Sequence, residues 1–291
     1  MRRSNKQKVR LVLWLLPFLA YMLFILTVGL ADGLIQSFGY IPSLGLTSFT
    51  LDYYKKVFAG GAFMSSLGFT LWYSLVSTAL SVSLGVLLAV LIRNYEIRYL
   101  KTIFQIPLMV PHITAALFTM LTLASTGILP RLLYQLGLIA SPADFPGFHG
   151  DVGGWGIILT YVWKGLPFVF LTTITVLEKL SDRLAKAALN LGANRWQIFW
   201  RITLPLIRPG IATTFMILFA FSFGAYELPL LLGPTVPKAL AVLTYTEYIN
   251  PLLQNRPLAM AYNFLIIGIC MGLSVIFLHL IVPKDKRGRR Q

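Results

Sequence analysis

Long apolar runs separated by short polar connections dominate the chain. Four runs contain no charged residue, namely 11–31, 57–92, 102–130 and 257–283. Two more, 155–177 and 209–232, contain one charge each. Each run is long enough to cross a hydrocarbon core of roughly 30 Å as a helix. No run alternates with period two, so the pattern predicts helices rather than a barrel.

The sequence therefore predicts an all-α membrane protein with six transmembrane helices. The predicted spans are 11–32, 65–92, 102–125, 155–177, 209–232 and 257–283. The first span resembles a signal peptide, but its length and the five spans after it favour a retained anchor. The predicted organisation is a basic tail over 1–10, the anchor, a five-helix core over 65–283 and a basic tail over 284–291.

Composition agrees with a membrane protein and excludes other classes. Residues of the AVILMFWYC class make up 57% of the 291 residues, whereas charged residues make up only 12%. That is about half the charged share of a soluble domain. The net charge of +15 is divided among the connections between spans, so we expect no nucleic-acid partner.

Basic residues also predict the orientation. An even number of spans puts both termini on one side, and that side holds 19 of the 25 basic residues, against 5 on the other. The positive-inside rule then makes both termini cytoplasmic, together with the fourth connection, 178–208.

We predict no catalytic residue and no cofactor in this chain. It has three histidines, no carboxylate cluster and one cysteine, Cys270, so neither a metal site nor a disulfide framework is expected. The phosphate-binding pattern G-x-x-x-x-G-K-[ST] does not occur, which argues against ATP hydrolysis by this chain.

The fourth connection carries the most informative local pattern. A stripe with helical spacing consists of Leu184, Ala187, Ala188 and Leu191. Ser181 is a suitable N-cap, and Gly192 can end this helix as a C′ glycine. Asn194 then caps a second helix, with Gln197 at the capping-box position. The residues alone leave two interpretations open: an amphipathic element in the headgroups, or a docking surface for another protein.

This connection resembles the EAA loop of permease subunits of binding-protein-dependent, type I ABC importers. The family pattern is E-A-A, three residues, G, nine residues and I-x-L-P. At the same spacings this sequence has Lys186-Ala187-Ala188, Gly192 and Ile202-Thr203-Leu204-Pro205, so only the glutamate differs. Trp163 and Leu166-Pro167-Phe168 also resemble the family, and the similarity covers about 65–283. The stretches 223–227 and 231–233 are most similar to polyamine, iron and phosphonate-type permeases.

The resemblance implies a non-catalytic subunit with several partners. The loop would dock on a dimeric ABC ATPase, which binds ATP and magnesium. A second, related but non-identical permease and an extracytoplasmic binding protein would complete an importer in the bacterial cytoplasmic membrane, with polyamines among the candidate solutes. The implied coupling residues are Lys186, Ala187, Ala188, Gly192, Ala193 and Arg195. Lys186 in place of glutamate implies either an altered partner surface or an asymmetric permease pair.

Lys164 and Glu227 are the two charges within predicted spans. A charge at the centre of an inserting helix costs about 2.5–3.5 kcal/mol, so neither is expected to face lipid. In one interpretation the two pair with each other, or Lys164 reaches the interface. In the other, Glu227 lines the solute path, where Tyr226 and Trp163 offer aromatic faces to an ammonium group. The alternative function is an ion-coupled secondary transporter that uses Glu227.

Overall fold

A computed structural model describes residues 5–93, 98–179 and 187–281 of the chain. Most of these residues are helical, with one isolated bridge between Ile41 and Leu46 and no strand among them. Six helical segments are long and apolar enough to span a membrane, which confirms the predicted fold class. They are Val12–Ser37, Ala62–Ile92, His112–Gln135, Trp155–Glu178, Arg195–Gly224 and Leu253–Phe277.

The helices are numbered in chain order. The first six are α1 (Asn5–Ser37), α2 (Asp52–Ala59), α3 (Ala62–Ile92), α4 (Arg98–Met109), α5 (His112–Leu123) and α6 (Ile128–Gln135). The others are α7 (Trp155–Lys179), α8 (Arg195–Ile198), α9 (Leu204–Gly224), α10 (Glu227–Leu232), α11 (Leu240–Tyr248) and α12 (Arg256–Ile281).

One compact unit combines the chain up to residue 61 with residues 244–265. Within it, α1 leaves large apolar side chains exposed along most of its length, including Trp14 and Phe24. The end of α1 is tied to α2 by a hydrogen bond of 2.8 Å between the hydroxyls of Ser37 and Tyr54. Such an apolar exterior is typical of a helix whose surroundings are lipid rather than water.

The other unit comprises residues 62–243 and the chain from 266 onward. Its centre is the contact between α3 and α7, where small residues let the backbones approach closely. A Cβ added at Gly85 would lie 2.6 Å from Cβ of Val169, and one added at Gly165 would lie 2.7 Å from Oγ of Ser81. The buried face of α3 is also rich in hydroxyl side chains: Ser66, Thr70, Ser74, Ser77, Thr78 and Ser81.

The predicted third span, 102–125, is not one helix. The chain leaves helical geometry at Pro111, where ψ is 150°, and α5 begins at the next residue. Proline has no N–H to donate to the carbonyl four residues earlier, which explains the interruption. Farther along, α6 extends the membrane-spanning segment to Gln135.

The predicted fifth span, 209–232, is wrong at both ends. Helical structure begins earlier, since the π-helical turn Phe199–Thr203 joins α8 to α9. It stops at Gly224, and Ala225 is extended with a ψ of 141°. The ring of Pro229 would clash with the carbonyl of Ala225 in a continuous helix, so a new helix, α10, begins at Glu227.

Candidate functional site

Lys164 donates hydrogen bonds to backbone carbonyls at the break between α4 and α5. In a continuous helix the carbonyl of Pro107 would accept a hydrogen bond from residue 111, which is a proline and has none to donate. Instead, Nζ of Lys164 donates to the carbonyl oxygens of Pro107 at 3.1 Å and Val110 at 2.5 Å. Lys164 is 7% exposed and therefore replaces the missing amide donors from within the protein.

This arrangement gives Lys164 a partner other than Glu227. Its ammonium hydrogen-bonds to backbone and does not pair with Glu227, because the ion pairs formed within the described ranges join Lys101 to Glu178 and Lys55 to Asp52. Glu227 is the first residue of α10 and lies close enough to His112 and Tyr161 to interact with them electrostatically.

A cavity of about 220 Å³ lies beside the break, between α3, α7 and α9. Its wall includes Thr78, His112, Tyr161, Lys164, Phe168 and Phe221. The hydroxyls of Thr78 and Tyr161 are buried and find no hydrogen-bond partner among the residues that the structure describes. The wall therefore combines a cation with aromatic and aliphatic faces, and these two hydroxyls lie behind its surface.

Only one of the four predicted solute-path residues lines this cavity, and the role of all four in solute passage stays a prediction. Lys164 lines the cavity, whereas Trp163, Tyr226 and Glu227 are not part of its wall. Trp163 stacks on the exposed ring of Phe118, with 6.2 Å between the centroids. Sequence reasoning missed Thr78, although the regular spacing of serine and threonine along the charge-free run 57–92 was an available signal.

The fourth connection is described from Ala187 onward, so Lys186 and Ser181 lie outside the described residues. Residues 187–190 are helical, and Gly192 follows with a φ of +83°. The amide of Ala193 donates to the carbonyl of Ala188 at 3.0 Å, the bond that closes a Schellman motif. The prediction that Gly192 ends this helix in left-handed geometry is confirmed.

The predicted capping box is also confirmed. The side chain of Asn194 accepts a hydrogen bond from the amide of Gln197 at 2.8 Å, and its own amide donates to the Gln197 side chain at 2.9 Å. Ile198 is buried, whereas Trp196 and Trp200 are exposed beside Arg195. A rigid turn thus presents small, aromatic and basic side chains outward.

Six apolar helices, an interrupted span and a capped helix–turn–helix connection define a multi-pass membrane protein. Residues 81–288 match the family of binding-protein-dependent transport system inner membrane components, and the chain belongs to that family. It is thus a permease subunit of a type I ABC importer for a solute.

Individual relatives agree with the family assignment. The chain is 29% identical over 218 residues to the Escherichia coli inner membrane ABC transporter permease protein YdcU, covering 71% of this chain and 69% of YdcU. It is 27% identical over 293 residues to the probable ABC transporter permease protein y4oQ of Sinorhizobium fredii, covering 95% and 92%. A crystal structure of a bacterial ABC transporter involved in the import of the acidic polysaccharide alginate has the same fold, with a TM-score of 0.77, 21% identity and coverage of 97% and 98%.

We expect Lys164→Met to lower the stability of the protein. The substitution keeps a long apolar stem but leaves the partly buried carbonyls of Pro107 and Val110 without their donor, at a cost of about 1–3 kcal/mol. Thermal unfolding in mild detergent measures the effect. Lys101→Met is the matched control, because it removes a half-exposed ion pair that contributes only about 0–1 kcal/mol. Equal melting temperatures for the two variants would contradict the role of Lys164.

Proposed function

We propose that this subunit couples solute passage to a separate ABC ATPase through its fourth connection. Both termini and this connection are assigned to the cytoplasmic side of a bacterial inner membrane, as the distribution of basic residues predicts. The observation that supports the proposal is the turn at Gly192, which joins two short helices in the segment that resembles the family's coupling motif. A fixed turn suits an element that must move as a rigid body.

The proposed ATPase contact is formed by Lys186, Ala187, Ala188, Gly192, Ala193 and Arg195. The small side chains permit close approach, and Arg195 is exposed for pairing with an acidic group. ATP and magnesium are assigned to the partner ATPase, so this subunit performs no catalysis itself. Lys186 would face that partner in place of the motif glutamate.

The proposed solute path is shared with a second permease subunit and is supplied by an extracytoplasmic binding protein. Related permeases are named for maltodextrin, spermidine and putrescine, sulfate and molybdenum. The chain spans 44% of the maltodextrin permease MalC and 49% of the spermidine/putrescine permease PotB. A polyamine therefore stays one prediction among several solute classes.

Purification in mild detergent, followed by reconstitution into vesicles, tests the proposal. We expect an ABC ATPase and a second permease to co-purify with this chain, and uptake to require ATP and the binding protein. Uptake by this chain alone, driven by an ion gradient, would instead establish the secondary transporter that Glu227 suggested. Absence of an ATPase from the purified complex would contradict coupling through the fourth connection.

A further inference from the structure

A π-helical turn joins the fourth connection to the membrane span that follows it. In this turn, Phe199–Thr203, the amide of Leu204 donates to the carbonyl of Phe199, five residues earlier instead of the four of an α-helix. The π turn links α8, which follows the turn at Gly192, to α9, which begins at Leu204. It therefore lies between the segment assigned to the ATPase contact and the helix that crosses the membrane.

The packing of this segment does not require the extra residue of the π turn. Ile198 and Thr203 are buried and stand five positions apart, whereas Trp200 between them is exposed. Without Trp200, the two buried residues would be four positions apart and would share one face of an ordinary α-helix. Leu204 would also stand four positions after Phe199, so the bond that closes the turn would become an α-helical one. Packing of these residues thus does not explain the π turn, and such turns occur frequently at functional sites.

Two prolines reduce the backbone support of the same junction. Pro205 has no amide to donate to the carbonyl of Arg201, and Pro209 has none for the carbonyl of Pro205. Kinks in helices concentrate at prolines and at π-bulges, and here both features occur together. Ile207, by contrast, is buried in a cluster with side chains of α3 and α7. The helix is therefore weakly supported by its own backbone just where packing against its neighbours begins.

We propose that the π turn is a hinge between the coupling segment and the membrane span. It lets α8 and the turn at Gly192 change their angle to α9, while Leu204 and Ile207 stay packed against α3 and α7. Pro205 acts as a positioning residue, because it opposes α-helical geometry over the preceding turn. The inference rests on the proposed function and adds to it the point at which the chain bends when the ATPase acts.

Spin labels on either side of the π turn test the hinge without knowledge of the solute. Leu191, on the coupling side, and Thr213, within α9, are exposed, so Leu191→Cys and Thr213→Cys can be labelled in a Cys270→Ser background. Electron–electron double resonance then gives the distance between the labels in the complex with the partner permease and ATPase. We expect this distance to differ by at least about 2 Å between the nucleotide-free complex and the complex trapped with Mg-ATP and vanadate.

Deletion of Trp200 removes the π turn and keeps the buried face, so it should abolish the nucleotide-dependent change in distance while the ATPase still co-purifies. Trp200→Ala is the matched control, because it removes the same side chain but keeps the chain length, and it should retain the full change. Pro205→Ala supplies an amide for an α-helical turn and should at least about halve the change. Pro17→Ala, the same exchange inside α1, should leave the change intact.

Three results would overturn the hinge: an unchanged distance in a complex that has the native turn and contains the ATPase, a full change in the deletion variant, or an equal loss in Trp200→Ala. If the deletion variant does not assemble, a full change in Pro205→Ala overturns the hinge instead. Absence of the ATPase from the complex with the native turn would overturn the proposed function, and the hinge with it. Failure of the hinge alone is thus distinguishable from failure of the transport function.

Discussion

Gly85→Val is expected to prevent the central helices of the protein from packing. Even the Cβ of the new side chain would lie 2.6 Å from Cβ of Val169 and 3.0 Å from the carbonyl oxygen of Leu166. Neither neighbour can yield easily, because one is a stiff β-branched side chain and the other is backbone. Overpacking of this kind costs about 1–3 kcal/mol and more where backbone must move. We expect little monodisperse protein after extraction in mild detergent.

Gly68→Val provides the matched control on the same helix. A Cβ at Gly68 meets no described atom within 4 Å, so the identical exchange should leave the yield and the melting temperature nearly unchanged. If both variants behaved alike, the cause would be the helix propensity of valine and not the contact between α3 and α7. A normal yield for Gly85→Val would show that this contact is not essential.

Gly192→Val is expected to abolish most ATP-dependent uptake while the protein still folds. At Gly192 a φ of +83° is strained for any L side chain by roughly 1–2 kcal/mol, and more for a β-branched one. The added Cβ would meet nothing within 4 Å, so the expected loss of uptake comes from backbone strain and not from a steric clash. Since about 1.4 kcal/mol is a factor of ten in an equilibrium, we expect uptake in reconstituted vesicles to fall at least roughly tenfold.

Two controls separate the coupling turn from general strain. Gly192→Asn should retain substantial uptake, because asparagine tolerates left-handed geometry better than other residues. Gly137→Val introduces similar strain at a φ of +70° with open space around it, but outside the fourth connection. If Gly137→Val lowered uptake as strongly as Gly192→Val, the turn at Gly192 would have no special role in coupling.

Both breaks in the predicted spans occur close to a proline. Pro111 and Pro229 each lack an N–H and crowd the carbonyl four residues earlier, so the chain leaves the helix shortly before each of them. Such breaks are tolerated inside a membrane only where the freed backbone groups find other partners. At Pro111 that partner is Lys164, which explains how a charged residue can lie in an otherwise apolar span.

Features that depend on near neighbours were predictable. The apolar runs are continuous in the chain, so the six spans follow from their lengths, and the Schellman turn at Gly192 involves residues at most five apart. The capping box of Asn194 and Gln197 is equally local. The predicted end of the fifth span was wrong because the apolar run continues through Gly224 and Ala225, whereas the helical backbone ends at Gly224.

The sequence by itself determined that this is a six-span helical protein with a capped turn in its fourth connection, because burial in lipid and helix capping act over a few residues. Tertiary structure alone decided the partner of Lys164, whose hydrogen bonds reach back 57 and 54 residues to Pro107 and Val110. It also decided that Thr78 and Tyr161 meet this lysine around one cavity and that Glu227 does not. Which faces of α3, α7 and α9 meet depends on the packing of small residues such as Gly85 and Gly165, which a hydropathy pattern does not encode.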